Sequence, residues 1–220
     1  MDALSGGMRG EQTPEDAPLV IIVDDDQRMR DAIRELLLTV GLSSLTFGST
    51  AELLSNGLPD RPGCLILDVR MPGISGLDLQ SQLVANGYTK PILFLTAFAD
   101  VPMTVQAMKA GAVDFLTKPF RDQDLLDAVA RAVELDIQRR KLSGDHKEYF
   151  ARYQTLTQRE REVFQRVVKG KINKQIAFEL KISVVTVKLH RGNLTRKMNA
   201  SSINELIKIW ESLPINIREN

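Results

Sequence analysis

The chain has 220 residues, enough for one large or two small domains with a real core, and 43% apolar with 26% charged residues exclude a disordered, collagenous or disulfide-framed protein. Its single cysteine, Cys64, can neither pair internally nor build a zinc knuckle, which favours a reducing compartment, and no apolar run approaches the roughly 18 residues of a membrane span. The formal net charge of +1 conceals a division: up to residue 138 there are 11 Lys and Arg against 20 Asp and Glu, and after it 18 against 8, so the second half alone carries the charge expected of a nucleic-acid binder.

Residues 1–17 hold Gly6, Gly7, Pro14 and four acids without a hydrophobic stretch, and are expected to be a loose tail rather than a signal peptide, consistent with a cytoplasmic protein. From Leu19 short apolar runs alternate with stretches of helical period. Leu19–Val23 reads as a strand, followed by Met29, Ala32, Ile33, Leu36, Leu37 and Val40 at helical spacing. Further strands are predicted at 44–47, 64–67, 92–95 and 113–116, each followed by a helix, the last of which carries Leu125, Leu126, Val129, Val133 and Ile137. Three of the runs are almost purely apolar, as strands covered on both faces are, so an α/β doubly wound, five-stranded parallel sheet is expected over 18–138. From 139 to 152 the apolar period fades, which predicts a linker, either an extension of the preceding helix or a flexible tether. Four short helices, at 157–168, Asn173–Leu180, Val184–Met198 and 203–211, then make a small all-α domain over 153–213, with a C-terminal tail at 214–220. Ser183 and Ser202 fit helix N-caps, and Gly170 fits a helix stop.

In a parallel α/β sheet ligands bind beyond the carboxyl ends of the strands, so the residues that close each apolar run are the candidates for chemistry. The first run closes on Asp24, Asp25 and Asp26, the third on Asp68, the fourth on Thr96 and the small Ala97, and the fifth on Lys118-Pro119. Clustered carboxylates repel one another, and a hard divalent cation with oxygen ligands, naturally Mg²⁺, relieves that cost. A carboxylate beside such a cation, an ammonium and a hydroxyl has what phosphoryl transfer to a carboxylate needs: a nucleophile, and positive charge and donors for the phosphoryl oxygens. The expected product is an aspartyl phosphate. Plainer roles are open as well: Asp26 suits a helix start, Phe115 a core position and Cys64 a small buried hydrophobe.

Val23-Asp24-Asp25-Asp26, Leu67-Asp68-Val69-Arg70-Met71-Pro72-Gly73-Ile74-Ser75-Gly76, Leu95-Thr96-Ala97 and Lys118-Pro119-Phe120 resemble, in that order, the flavodoxin-like receiver domain of two-component response regulators. The resemblance implies that Asp68 accepts phosphate from a sensor histidine kinase, that Asp25 coordinates Mg²⁺ directly and Asp24 through water, and that the backbone carbonyl of Arg70 completes the metal site. It further implies that Lys118, with a cis bond to Pro119, pairs with a phosphoryl oxygen. Thr96 and Phe115 become the switch pair, the hydroxyl moving to the phosphoryl group while the ring turns inward.

In the basic half, Asn173–Leu180, a turn at 181–183 and Val184–Met198 give the frame of a helix-turn-helix. Along the last helix Val187, His190, Leu194 and Met198 share a face expected in the core, with His190 a satisfied core histidine. The opposite face carries Val184, Val185, Lys188, Arg191, Gly192 and Thr195, and suits the major groove. Gly192 costs about 1 kcal/mol against alanine inside a helix, which close approach to DNA or to a neighbouring helix explains. Leu156-Thr157-Gln158-Arg159-Glu160-Arg161-Glu162-Val163, Asn173-Lys174-Gln175-Ile176-Ala177, Thr186-Val187-Lys188-Leu189-His190-Arg191 and Arg196-Lys197-Met198 look like the LuxR-type DNA-binding domain. The two halves together resemble the FixJ/NarL class of response regulators. That resemblance adds Lys174, Thr186, Leu189 and Arg196 to the DNA-binding set, and implies dimerisation through Ile203, Leu206, Ile207 and Trp210.

The sequence thus reads as a transcription regulator and not an enzyme: phosphorylation of Asp68 promotes a homodimer that binds double-stranded promoter DNA, with RNA polymerase as a further partner and no membrane association. Two alternatives remain open. One is a regulator that works unphosphorylated through protein contacts. The other is an aspartyl-phosphate phosphohydrolase, disfavoured because Arg70 stands two residues after Asp68, where an acid-base aspartate belongs.

Overall fold

The computed structural model describes residues 17–97 and 100–218, so all but the last residue of the tail expected at 1–17 lies outside the described residues. Five strands, β1 (Leu19–Val23), β2 (Ser43–Phe47), β3 (Gly63–Asp68), β4 (Ile92–Thr96) and β5 (Asp114–Thr117), pair in parallel in the order β2-β1-β3-β4-β5. They alternate with helices α1 (Gln27–Thr39), α2 (Thr50–Asn56), α3 (Gly76–Ala85), α4 (Val101–Lys109) and α5 (Asp122–Gln154). The apolar runs β1, β3 and β4 are buried at every residue, while the edge strands β2 and β5 are not.

Because side chains alternate along a strand, these runs feed two cores. Ile21, Val23, Leu65, Leu67 and Phe94 pack with Leu53 of α2, Leu79 and Leu83 of α3 and Ala107 of α4. Val20, Ile22, Cys64, Ile66, Leu93 and Leu95 pack with Ile33 and Leu37 of α1 and Leu125, Ala128 and Val129 of α5. Cys64 is therefore a small buried hydrophobe, its thiol pushed up to about 12 by burial. The register sets Asp68 beside Leu95 and Thr96 beside Thr117, which brings the strand ends singled out in the sequence to one end of the sheet.

Helix α5 runs without a break through 139–152, so the segment expected as a linker is helical throughout, and the chain divides into two compact units between Arg140 and Lys141. Near the end of the first unit, buried Asp136 accepts from the backbone N–H of Gly63 (2.9 Å) and from Arg140 Nε (2.9 Å), fastening α5 to the amino end of β3. No described helix is long and apolar enough to cross a membrane.

The second unit comprises the end of α5 with α6 (Gln158–Val168), α7 (Asn173–Leu180), α8 (Val184–Met198), α9 (Ile203–Ser212) and the single turn α10 (Ile215–Arg218). Its core centres on Phe164 and Trp210, whose rings meet edge to face at 5.0 Å, with Tyr153 of α5 at 6.4 Å from each. Tyr149 and Phe150 of α5 and Ile217 of α10 pack on the same core, so this domain draws on the linker and on the tail expected at 214–220. Ser183 and Ser202 accept from the N–H groups of Thr186 and Glu205 as N-caps of α8 and α9.

α6 opens with a capping box in which Thr157 Oγ1 accepts from Glu160 N–H and Glu160 Oε2 accepts from Thr157 N–H (2.8 Å). Glu160 is buried and also accepts from Lys197 Nζ (2.7 Å), which ties α6 to α8. Burial alone would raise its carboxyl, but the Lys197 ammonium and the two Thr157 donors outweigh it and hold the group below the ordinary carboxylate value. A depressed folded pKa stabilises the domain above the unfolded value of 4.5 and is lost as pH falls through the folded pKa. Unfolding followed by the fluorescence of Trp210, the only tryptophan, is therefore expected to show the second unit weakening in acid. Glu160→Ala lowers its stability at neutral pH by about 2 kcal/mol and flattens that acid dependence. An unchanged acid limb in the variant contradicts this assignment.

Candidate phosphoacceptor pocket and DNA-binding helix

The chain leaves β1 directly into Asp24, Asp25 and Asp26, which take three different positions. Asp24 is buried, and its Oδ1 accepts from Asp26 N–H (2.9 Å) while Arg30 Nη1 donates to its carbonyl oxygen (2.5 Å). Asp25 is exposed at the mouth of the pocket. Asp26 is the N-cap of α1, accepting from the N–H groups of Arg28 and Met29, which is the helix-start role open to it from the sequence. Asp68 closes β3, and its Oδ1 accepts from Arg70 N–H (3.0 Å). Thr96 is fully buried at the end of β4, and its carbonyl accepts from Lys118 N–H (2.7 Å).

Lys118 joins the carboxylates. Its Nζ donates to Asp24 Oδ2 at 2.5 Å and to Asp68 Oδ2 at 2.6 Å, and its bond to Pro119 is cis. Burial alone would lower the Lys118 ammonium, but the two carboxylates more than offset that and hold it above its ordinary value. For Asp24 burial prevails and pushes the carboxyl up, against the Lys118 and Asp26 hydrogen bonds. Oxygens of Asp24, Asp25 and Asp68 lie within 4.8 Å of one another, an all-oxygen set suited to a hard divalent cation. Phe115 on β5 is half-buried, its ring 6.0 Å from that of Phe94 and packed against one of the two cores, so it has the core position open to it from the sequence.

In the second unit α8 lies behind the αL turn at Lys181, and buries Val187, Leu194 and Met198 as the periodicity requires. His190 is half-buried, but its Nδ1 has no hydrogen-bond partner among the described residues, so it is not the satisfied core histidine expected. Val185, Lys188, Leu189, Gly192 and Arg196 are exposed on α8, and Lys174 on α7. The other residues assigned to DNA are less exposed, and three of them have contacts within the domain. Val184 is partly buried and packs against the core. Thr186 is half-buried, with its hydroxyl 2.8 Å from Ser183 Oγ in the cap. Arg191 is half-buried and donates through Nη1 to Asn173 Oδ1 (2.8 Å), tying α8 to the start of α7. Thr195 is half-buried. A Cβ on Gly192 would meet nothing within 4 Å, which removes a neighbouring helix as the reason for the glycine.

The dimerisation set divides as well. Leu206 and Trp210 are buried in the core with Ile209, so truncating them opens cavities and does not uncover an interface. Ile203 is exposed and Ile207 half-buried on the outer side of α9. Phe178, 87% exposed on α7, was not singled out from the sequence; its place two residues after the core position Ile176 was the available signal.

Residues 20–130 match the family model for the response regulator receiver domain, and residues 154–210 match that for bacterial regulatory proteins of the luxR family. The chain is 45% identical to nodulation protein W of Bradyrhizobium diazoefficiens over 95% of its own length and 92% of that protein. It is 40% identical to the transcriptional regulatory protein FixJ of Azorhizobium caulinodans over 89% of this chain and 92% of the other. The solved structure of the response regulator StyR superposes with a TM-score of 0.79 at 45% identity, over 89% of this chain and 98% of that one. Both matches fall on the units that the fold defines, and the chain belongs to the response regulators, transcriptional regulators that join a receiver domain to a LuxR-type DNA-binding domain.

Proposed function

We propose that Asp68 takes a phosphoryl group from a sensor histidine kinase and that the modified receiver promotes dimerisation and promoter binding by the second unit, in the cytoplasm where these partners meet. The observation that carries this reading is the placement of Lys118 Nζ between Asp24 and Asp68, a fixed positive charge at the one carboxylate that closes β3. An Asp68 carboxylate oxygen attacks phosphorus, the bond from phosphorus to the kinase imidazole breaks, and the imidazole leaves with the electron pair. Lys118 then donates to a phosphoryl oxygen in place of Asp68 Oδ2.

The donor set fits Mg²⁺, held by Asp24, Asp25, Asp68 and the backbone carbonyl of Arg70; when bound it supplies positive charge against the carboxylates and the phosphoryl oxygens. Thr96 contributes its hydroxyl to the phosphoryl group and Phe115 follows it inward, shifting the receiver between two populations. On DNA, Lys174, Val185, Lys188, Leu189, Gly192, Thr195 and Arg196 face the duplex, Ile203 and Ile207 supply the dimer contact, and RNA polymerase is the partner that reads the result. The receiver assists only its own phosphorylation and dephosphorylation.

The test is to incubate the full chain with Mg²⁺ and a small-molecule phosphodonor, trap the acyl phosphate by borohydride reduction and map it by mass spectrometry. A single modification at Asp68 is expected. No modification, or one at another carboxylate, overturns the reading.

A further inference from the structure

We propose that Val185 and Leu189 read the C5-methyl groups of thymine in the major groove, so that the preferred operator carries thymines under the first two turns of α8. This rests on the reading of α8 as the groove-bound helix and adds what that helix recognises.

With about 100° of turn per residue, Val185, Lys188, Leu189, Gly192 and Arg196 fall within one arc of roughly 100°. That arc lies opposite the buried Val187, Leu194 and Met198. Within it Val185 is 76% and Leu189 62% exposed, although the same helix hides its other aliphatic side chains wholly or in part. Neither contributes to the core, and β-branched Val185 is a weaker helix former than alanine, so folding gives no reason for either.

The polar side chains of these two turns are mostly committed elsewhere. Thr186 is held in the Ser183 cap and Arg191 by Asn173. Lys188 is left as the exposed donor between two exposed aliphatic residues. Thymine is the standard base that presents an apolar group on the major-groove edge, and aliphatic contact with that methyl is how an apolar side chain discriminates base pairs. Gly192 continues the arc without a side chain, and the open space around its Cβ position means that nothing inside the domain requires this. Its absence lowers the helix surface one turn beyond Leu189 and allows the two side chains to reach the base edges.

The experiment uses the full chain with phosphodonor and Mg²⁺ to select duplexes from a random pool, then replaces each thymine of the enriched duplex by deoxyuridine, which removes only the methyl. Wild type is expected to lose about fourfold in affinity at each contacted thymine. Leu189→Ala and Val185→Ala, both substitutions toward a better helix former, are each expected to bind the thymine and deoxyuridine duplexes equally at one of those positions. Wild type indifferent to every replacement overturns the inference while the DNA reading stands. Sensitivity that survives unchanged in both variants overturns it too, since other groups then contact the methyls. If no duplex is enriched, the DNA reading of α8 itself fails, and the Val185–Leu189 strip belongs to a protein partner.

Discussion

Phosphoryl uptake by Asp68 is expected to fall about 10²- to 10³-fold in Lys118→Ala, the loss typical of removing one preorganised donor from a developing anionic site, or roughly 3–4 kcal/mol of barrier. The ammonium sits 2.5 and 2.6 Å from carboxylate oxygens of Asp24 and Asp68, and its side chain is largely enclosed. Two effects compound when it goes. The phosphoryl oxygens lose their fixed cation, and Asp24, already pushed up by burial, loses the hydrogen bond that opposes the push. Stopped-flow measurement of uptake from a small phosphodonor at saturating Mg²⁺ distinguishes this from a mere loss of metal affinity. A rate within a few-fold of wild type means that Lys118 is only a structural counter-ion.

Gly76→Ala is expected to destabilise the receiver by about 3 kcal/mol and to remove most phosphoryl uptake, although alanine is the better helix former by about 1 kcal/mol. The added Cβ would lie 2.2 Å from the carbonyl oxygen of Asp68 and 3.2 Å from the ring of Phe94. Backbone cannot yield as a flexible side chain does, and Gly76 N–H already donates to Val69 O (3.1 Å), so α3 must lift away from the end of β3. The propensity gain is too small to prevent it. Hydrogen exchange at the buried amides of β1, β3 and β4 reports the loss directly, and wild-type protection in the variant contradicts it.

The parts of this protein legible in its sequence are those where one local signal has one physical meaning. β1, β3 and β4 are uninterrupted apolar runs because both faces of the sheet are covered, and the acids that stop them stand at strand ends, where the fold collects ligands. Caps at Ser183 and Ser202 were likewise readable, since a hydroxyl before an apolar period has few other uses. What escaped depends on partners far along the chain. α9 carries more aliphatic residues than one face holds, and only packing on Phe164 decides that Trp210 lies inside while Ile203 stays out. Arg191 looks free for DNA until Asn173, 18 residues earlier, is placed beside it. The end of α5 hid its role because charged residues and Gly144 dilute the apolar period, yet Tyr149, Phe150 and Tyr153 fall on one helical face and close the second core.

Coupling between Asp68 and DNA is the central claim, and fluorescence anisotropy of a selected duplex measures it in one experiment, with and without phosphodonor at constant Mg²⁺, for wild type and Asp68→Asn. The expected result is that the donor tightens binding at least tenfold in wild type, about 1.4 kcal/mol of coupling, and leaves Asp68→Asn unchanged. Equal affinities with and without donor in wild type, or a donor response that persists in Asp68→Asn, contradict it.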